Sequence, residues 1–564
     1  MAAIGLLGVA AGALAYVLTP YAGLARGYER AFGPFYRQAF WTTDFFTPVV
    51  KQQGNAWCGL AAALSLAAAA WLMRARPVLP PRQSRASPPS DPIRWVVLAA
   101  AGGLWVWVNQ LLPVAYDEAF SAWHTAARPA GLAWSYYMLP NNHVLHNLLN
   151  AALGGWWAPD LVLTGRLLAG AAYLATVALL YGALRRGELA VPFPPILAGL
   201  GALVIATQGP LWGFGAQNRG YALLALAHWG AALGVLAATR RPAGRGAVGC
   251  AVGCAVGYAV LPTFLYFHVA VVVFAAGSQA IRRHLDGRFW RWQAAAGLAV
   301  LLFYLPALAL SGAGAFTHNP YVEPTVSSVG AFLPAALPIL PTYLDYGFPA
   351  LWPDHPLGRW LLLAPVLLLL AAPKLRRRAP GLTGAAGLYA LALVAAVGLV
   401  LLFRRLPFHR NLIGQLSLGL ALLVGGAATL LGPGRTGERW SRRRAVGLAA
   451  GLLGLLGWQV VAWPALLPQQ LYYTDVPTAA QTAHATLNRL LPGGRVAFSD
   501  ESFYAAAFAR SPARALRAAL PGAPDPAADY YLSALTEAAP AWVLGAGFGR
   551  ADTVAETVIW RRTW

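Results

Sequence analysis

Carboxylates are scarce in this chain, with 20 Asp and Glu against 42 Lys and Arg in 564 residues. Where they stand is therefore informative. Charge of either sign is thin at 11%, hydrophobic residues make up 58%, and the mean hydropathy is +0.53. These figures exclude an ordinary soluble protein. Only three cysteines are present, Cys58, Cys250 and Cys254, and each falls in an apolar stretch. No disulfide framework can be read, the redox compartment is left open, and an active thiol is not expected. Gly249, Gly253 and Gly257 recur every four residues around the last two, as on a small-residue helix-packing face. The opening MAAIGLLGVAAGALAYVL lacks a basic n-region. A retained first span is expected rather than a cleaved signal peptide.

What the chain has in quantity is hydrocarbon. Apolar runs of about 18–22 residues, long enough as helix to cross a bilayer core, recur to about position 465. Spans are expected near 3–20, 55–73, 93–112, 161–183, 191–207, 220–238, 247–262, 263–281, 294–311, 359–373, 380–403, 411–432 and 445–464. The net charge of +22 suggests nucleic acid until the arginines are located. They crowd into short connections at 74–94, 184–189, 239–246, 281–292, 374–380 and 434–445, alternating with less basic ones. That is the positive-inside pattern of a multi-pass protein of the plasma (inner) membrane, and no nucleic-acid partner is implied. The N-terminus and the basic loops then face the cytoplasm. Segments 21–54, 113–160, 208–219, 312–358, 404–410 and everything after about 465 face outward.

Three regions follow. Residues 1–92 hold two spans, an aromatic external loop and a Pro/Ser/Arg-rich linker; residues 93–465 form a polytopic core. Residues 466–564 change periodicity to that of a small extracytoplasmic α/β domain, with an amphipathic helix around 476–491 and strands at 494–500, 541–547 and 556–562. The fold class expected is an all-α polytopic membrane protein of about 13 transmembrane helices with that appended domain.

Chemistry is expected in the long external loop at 113–160. It opens on an adjacent acidic pair, Asp117 and Glu118, and its second half, MLPNNHVLHNLLNAALGGWW, reads as a turn and an interfacial helix. The alternative for Asp117 is a solvated acid capping a helix. Four short segments stand in order: YDEAF (116–120), PNNHVLHNLL (140–149), AQNRGYALLAL (216–226) and LPFHRNLIGQLSL (406–418). With the soluble tail, they resemble the GT-C membrane glycosyltransferases. The likeness is to the bacterial glycosyltransferase family 39 group, related to protein O-mannosyltransferases and the aminoarabinose transferase of lipid A. The two spans within 1–92 depart from the simplest layout of that family.

The resemblance implies a GT-C-like core that moves a sugar from a polyprenyl-phosphate donor to a lipid, glycan or protein acceptor at the extracytoplasmic face. It also implies that Asp117 is the base. The chemistry agrees: the phosphate leaving group is already a stable anion and needs cations, whereas an acceptor hydroxyl needs a carboxylate to take its proton. Glu118, about 100° away on a helix, is expected to orient the loop or the acceptor. A single catalytic carboxylate predicts inversion. Arg219, Arg404, Arg405 and Arg410 lie at external ends of spans, where planar guanidinium forks can grip phosphate oxygens, and Tyr221 stands beside Arg219. For Arg404 and Arg405, interfacial snorkelling is the competing reading.

Some relatives carry a divalent ion near the acidic loop, and His143 and His146, with His318, Asp117 or Glu118, raise the same question here. No tight metal motif is present. No cofactor is expected to be required; Asn141, Asn142, His143 and His146 are read as a polar face for acceptor or sugar hydroxyls. Trp123, Trp134, Tyr136 and Tyr137 could stack a sugar or form an aromatic belt. His268, inside a span, is expected to be a satisfied core histidine. Two other classes stay open: a multi-span lipid-linked glycan transporter or flippase, which would need midplane polar sites, and a polymer ligase using a lipid-diphosphate donor.

Overall fold

The computed structural model describes residues 2–36, 46–74, 91–112, 115, 117–118, 121–126, 129–137, 142–157, 161–240, 245–317, 328–336, 379–405, 409–432, 440–470, 495–498, 517–518, 528–534, 540–554 and 557–563. Its helices are α1 (Ala2–Leu18), α2 (Tyr21–Tyr36), α3 (Pro48–Arg74), α4 (Pro92–Leu111), α5 (Ala130–Ser135), α6 (Val144–Trp157) and α7 (Leu161–Arg185). There follow α8 (Pro195–Ala206), α9 (Gly209–Gly215), α10 (Tyr221–Arg240), α11 (Gly246–Val260), α12 (Leu265–Ile281) and α13 (Gly287–Leu310). The series continues with α14 (Gly314–Thr317), α15 (Val329–Ala336), α16 (Pro380–Phe403), α17 (Ile413–Leu431) and α18 (Arg442–Gln470).

Among the described residues eight helices are long and apolar enough to cross a membrane, or ten if each of two bent pairs is one span. The protein is thus a mostly helical, multi-pass membrane protein with fewer such helices than the thirteen expected. The reasons are local. The run 191–207 gives α8, of 12 residues, and the chain then turns by 80° at Thr207 and Gln208 into α9. The run 247–262 gives α11, only 15 residues long. Leu261 is extended and Pro262 follows, and proline disfavours helical backbone in the residue before it. The run 359–373 lies outside the described residues. Helix α13 begins seven residues earlier than the expected 294 because Asp286 caps it, its side chain accepting from the amides of Arg288 and Phe289.

One hydrophobic core links α4 with α7 to α12, α16, α17 and α18, and takes in Phe289 of α13. Helices α10 and α11 pack backbone to backbone: a Cβ at Gly253 would lie 2.5 Å from the amide of Ala231. The small-residue face is not the one expected, however, since Gly249 faces open space while Gly246, Gly253 and Gly257 are the crowded positions.

The first two helical spans pack on the core. Tyr16 of α1 donates to the carbonyl of Ala309 on α13 at 2.6 Å. Buried Lys51 of α3 satisfies the last carbonyls of α1, Tyr16 at 3.0 Å and Val17 at 3.4 Å. Just beyond that cap the chain bends by 114° into α2, whose Tyr28 hydroxyl meets Ser135 of α5 at 2.9 Å.

The C-terminal sheet has strands β1 (Arg495–Phe498), β2 (Arg517–Ala518), β3 (Tyr530–Ala534), β4 (Phe548–Val554) and β5 (Thr557–Arg562) in the order β2-β1-β3-β5-β4. β1 is parallel to β2 and β3, and β5 is antiparallel to β3 and β4. The segment expected as a strand at 541–547 is instead the short helix Ala541–Gly545. The helix expected around 476–491 lies outside the described residues.

Candidate active site

The acidic pair divides its labour. Glu118 is completely buried, and Arg166, six residues into α7, meets it with two prongs, Nε to Oε1 and Nη2 to Oε2, both 2.8 Å. The carboxylate also accepts from the amides of Ala115 at 2.8 Å and Asn218 at 2.5 Å. A buried charge is tolerated only with such partners. Arg166 further donates to the carbonyl of Leu112 at 3.1 Å and the side chain of Asn109 at 3.2 Å, which ties the end of α4 to the same point. Glu118 therefore fixes the loop and has no surface to offer an acceptor.

The segment 216–220 reaches Glu118 because α9 folds back from α8. Asn218 donates from its side-chain amide to the carbonyl of Glu118 at 3.3 Å, and its Oδ1 accepts from Asn150 and His146, each at 3.1 Å. Gly165 makes room for this: a Cβ there would occupy the place of Asn218 Oδ1. Gly220 does the same for His143, whose Nδ1 lies 2.9 Å from where a Cβ would stand. Both are close approaches that a side chain would block.

Asp117 points the other way and is 28% exposed. Its Oδ2 pairs directly with Nη1 of Arg219 and lies 3.6 Å from Nη1 of Arg410. The two guanidiniums share one aromatic floor, lying 4.9 Å and 5.7 Å from the centre of the Tyr221 ring. Arg219 is nearly buried, at 3% exposed, and is held from behind by His143 Nε2 at 3.3 Å and the Tyr221 hydroxyl at 3.5 Å. Arg410 is 12% exposed and leaves the short 3₁₀ turn His409–Leu412 that opens α17. The sequence separates Asp117, Arg219, Tyr221 and Arg410 by up to 293 positions; the fold sets them in one cluster.

The histidines are inside the protein. His143 and His146 are fully buried, and neither offers a polar face to an incoming acceptor. An arginine nitrogen can only donate, so His143 Nε2 accepts and its proton sits on Nδ1. Burial, reinforced by Arg219, His146 and Arg410, pushes the pKa of His143 well below the usual histidine value. Burial pushes His146 down to about 4, against the upward pull of its hydrogen bond with Asn218. Both are neutral at physiological pH. Asn142 is buried too, spending its amide on the carbonyls of Ala133 and Tyr136, each at 3.1 Å. Asn141 and His318 lie outside the described residues.

Arg404 ends α16 in the left-handed conformation, at φ 52°, and Arg405 interacts electrostatically with Tyr266 of α12. Tyr136 and Tyr137 are buried, and Tyr137 stacks on Phe316 at 4.5 Å. Trp134 donates to the carbonyl of Phe303. His268 bonds to Tyr258 and Gln293 at 3.0 and 3.2 Å, as a satisfied core histidine does. Among the described residues no three His, Cys, Asp or Glu side chains converge on a point that could hold a metal ion. The residues that sequence reasoning missed are Arg166, Asn218 and Asn150. The signal for Arg166 was present: an arginine inside an otherwise apolar run, LVLTGRLLAG, needs a buried partner.

No family model matches the chain, and no curated protein does. Among solved structures it is similar to ArnT from Cupriavidus metallidurans, at 15% identity in each of two crystal structures. The one bound to undecaprenyl phosphate matches with a TM-score of 0.47 over 83% of this chain and 97% of that one. The apo form matches with a TM-score of 0.49 over 84% and 98%. A cryo-EM structure of arabinosyltransferase EmbB from Mycobacterium smegmatis is similar at 12% identity and a TM-score of 0.39, over 76% of this chain and 45% of that one.

Proposed function

We propose that this chain is an inverting glycosyltransferase that takes a sugar from a polyprenyl-phosphate donor and attaches it to an acceptor hydroxyl at the extracytoplasmic face of the membrane. The observation that carries the reading is the Asp117 cluster: one part-exposed carboxylate beside two guanidiniums, with the neighbouring carboxylate locked away on Arg166. A single working carboxylate suits a single displacement. The acceptor oxygen bonds to the anomeric carbon from the face opposite the phosphate, its proton passes to Asp117, and the C–O bond to phosphate breaks with its electron pair on the phosphate oxygen.

The departing oxygen needs positive charge fixed in place before the reaction, because preorganised charge costs no rearrangement in the transition state. Arg410 and Arg219 supply it, Arg410 from the more open side and Arg219 from a site rigidified by His143 and Tyr221. A diphosphate-using ligase would present the arginines with one more phosphate. The test is to offer purified protein radiolabelled sugar on polyprenyl monophosphate and on diphosphate, with membrane extract as acceptor. Transfer from the monophosphate with inverted anomeric configuration supports the reading; retention, or transfer from the diphosphate alone, refutes it.

A further inference from the structure

The two cations assigned to the donor phosphate are already engaged with the base. Asp117 Oδ2 pairs with Nη1 of Arg219 and faces Nη1 of Arg410 at 3.6 Å, and both guanidiniums lie against Tyr221. A carboxylate and the donor's phosphodiester seek the same N–H edges of a guanidinium. Each brings one negative charge and two free oxygens to the same two guanidiniums. While the arginines hold it, Oδ2 is not open to an acceptor hydroxyl.

Resting on the transferase reading, we infer that Asp117 is a place-holder as well as the base. The donor phosphate takes Arg219 and Arg410 from the carboxylate, and only then is Oδ2 open to an acceptor hydroxyl. The donor therefore binds first. In the transfer step the acceptor oxygen bonds to the anomeric carbon, its proton moves to Asp117, and the sugar–phosphate bond breaks to leave polyprenyl phosphate on the arginines. Protonated Asp117 is uncharged and makes no claim on them. It is 28% exposed, so water can take the proton, and the restored carboxylate then competes with the product phosphate for the arginines. His143 stays neutral and keeps Arg219 in position throughout, accepting from its Nη2 at 3.3 Å.

The test measures binding apart from catalysis, using farnesyl phosphate as the probe on the full-length protein in detergent. A base with no place-holding role offers on substitution only relief of its through-space repulsion of the anion, a gain of the same size with or without Arg410. The place-holder role predicts that Asp117→Asn, and Asp117→Ala in parallel, bind farnesyl phosphate about tenfold more tightly or better, the size of one charge-assisted contact. The gain should shrink in an Arg410→Ala background, because the two residues act on the same anion. Unchanged or weaker binding in both Asp117 variants, or a gain of the same size without Arg410, overturns the place-holder role. If the wild-type protein transfers sugar while Asp117→Asn binds no more tightly, the place-holder role fails and the transferase stands. If binding tightens but no polyprenyl-phosphate sugar is ever transferred, the competition stands and the transferase fails.

Discussion

Replacing Arg166 by methionine removes the two-pronged partner of Glu118. The carboxylate would lose both 2.8 Å guanidinium bonds and keep only the amides of Ala115 and Asn218, with no exposure to water. Uncompensated buried charge of this kind costs about 3–5 kcal/mol, against about 0–1 kcal/mol for a pair on the surface. The magnitude therefore separates the two cases. The same substitution also removes Arg166's bonds to the Asn109 side chain and the Leu112 carbonyl, so the end of α4 and the start of the acidic loop should loosen with it. Equilibrium unfolding in mixed detergent micelles should show a loss of several kcal/mol for Arg166→Met. Arg166→Lys should recover part, because an ammonium cannot span both oxygens. The double variant Glu118→Gln/Arg166→Met should lose less than the sum of the two singles, since it removes the orphaned charge. A stability change under 1 kcal/mol in Arg166→Met would mean that the pair does not anchor the loop.

Arg410→Ala should weaken binding of a polyprenyl phosphate by roughly 1.5–3 kcal/mol, the worth of a charge-assisted hydrogen bond; isothermal calorimetry giving equal affinities would place the phosphate elsewhere. Gly165→Ala puts a methyl group where Asn218 Oδ1 sits, which should cost about 1–3 kcal/mol and lower activity more than Gly249→Ala, whose Cβ meets nothing. The fold should also weaken in acid. His146 has a folded pKa of about 4 against an ordinary value of 6.5, so between these values the unfolded chain binds more protons and stability rises with pH. Its contribution is complete above about pH 6.5 and falls away as the pH drops towards 4. Melting temperatures across that window should flatten in His146→Gln, and an unchanged slope would remove His146 as a cause.

Much of the fold was legible because membrane burial writes itself in composition. A run such as 380–403 can be little else than a long apolar helix, and it is one. The breaks were less visible. Thr207 and Gln208 end α8 inside the protein, where Thr207 donates to Gln459 of α18 at 2.8 Å, a partner 252 positions away that no local pattern encodes. The site was legible as segments and not as contacts. Adjacent carboxylates read alike in sequence, but Arg166 and the backbone of Asn218 bury one of them and leave the other part-exposed. Asn142, His143 and His146 look like a polar face along a helix. Packing against Asn218, Arg219 and Tyr221 turns that face inward, where it orients other side chains.

The most direct measurement is sugar transfer from a polyprenyl-phosphate donor by wild-type protein and by Asp117→Asn reconstituted side by side in vesicles of the same lipid. The wild type should transfer label to a membrane acceptor, and Asp117→Asn should do so about 10²–10⁴-fold more slowly, the range of general-base catalysis, while remaining folded. Equal rates in the two proteins, or label that crosses the bilayer still attached to its lipid, would contradict the account.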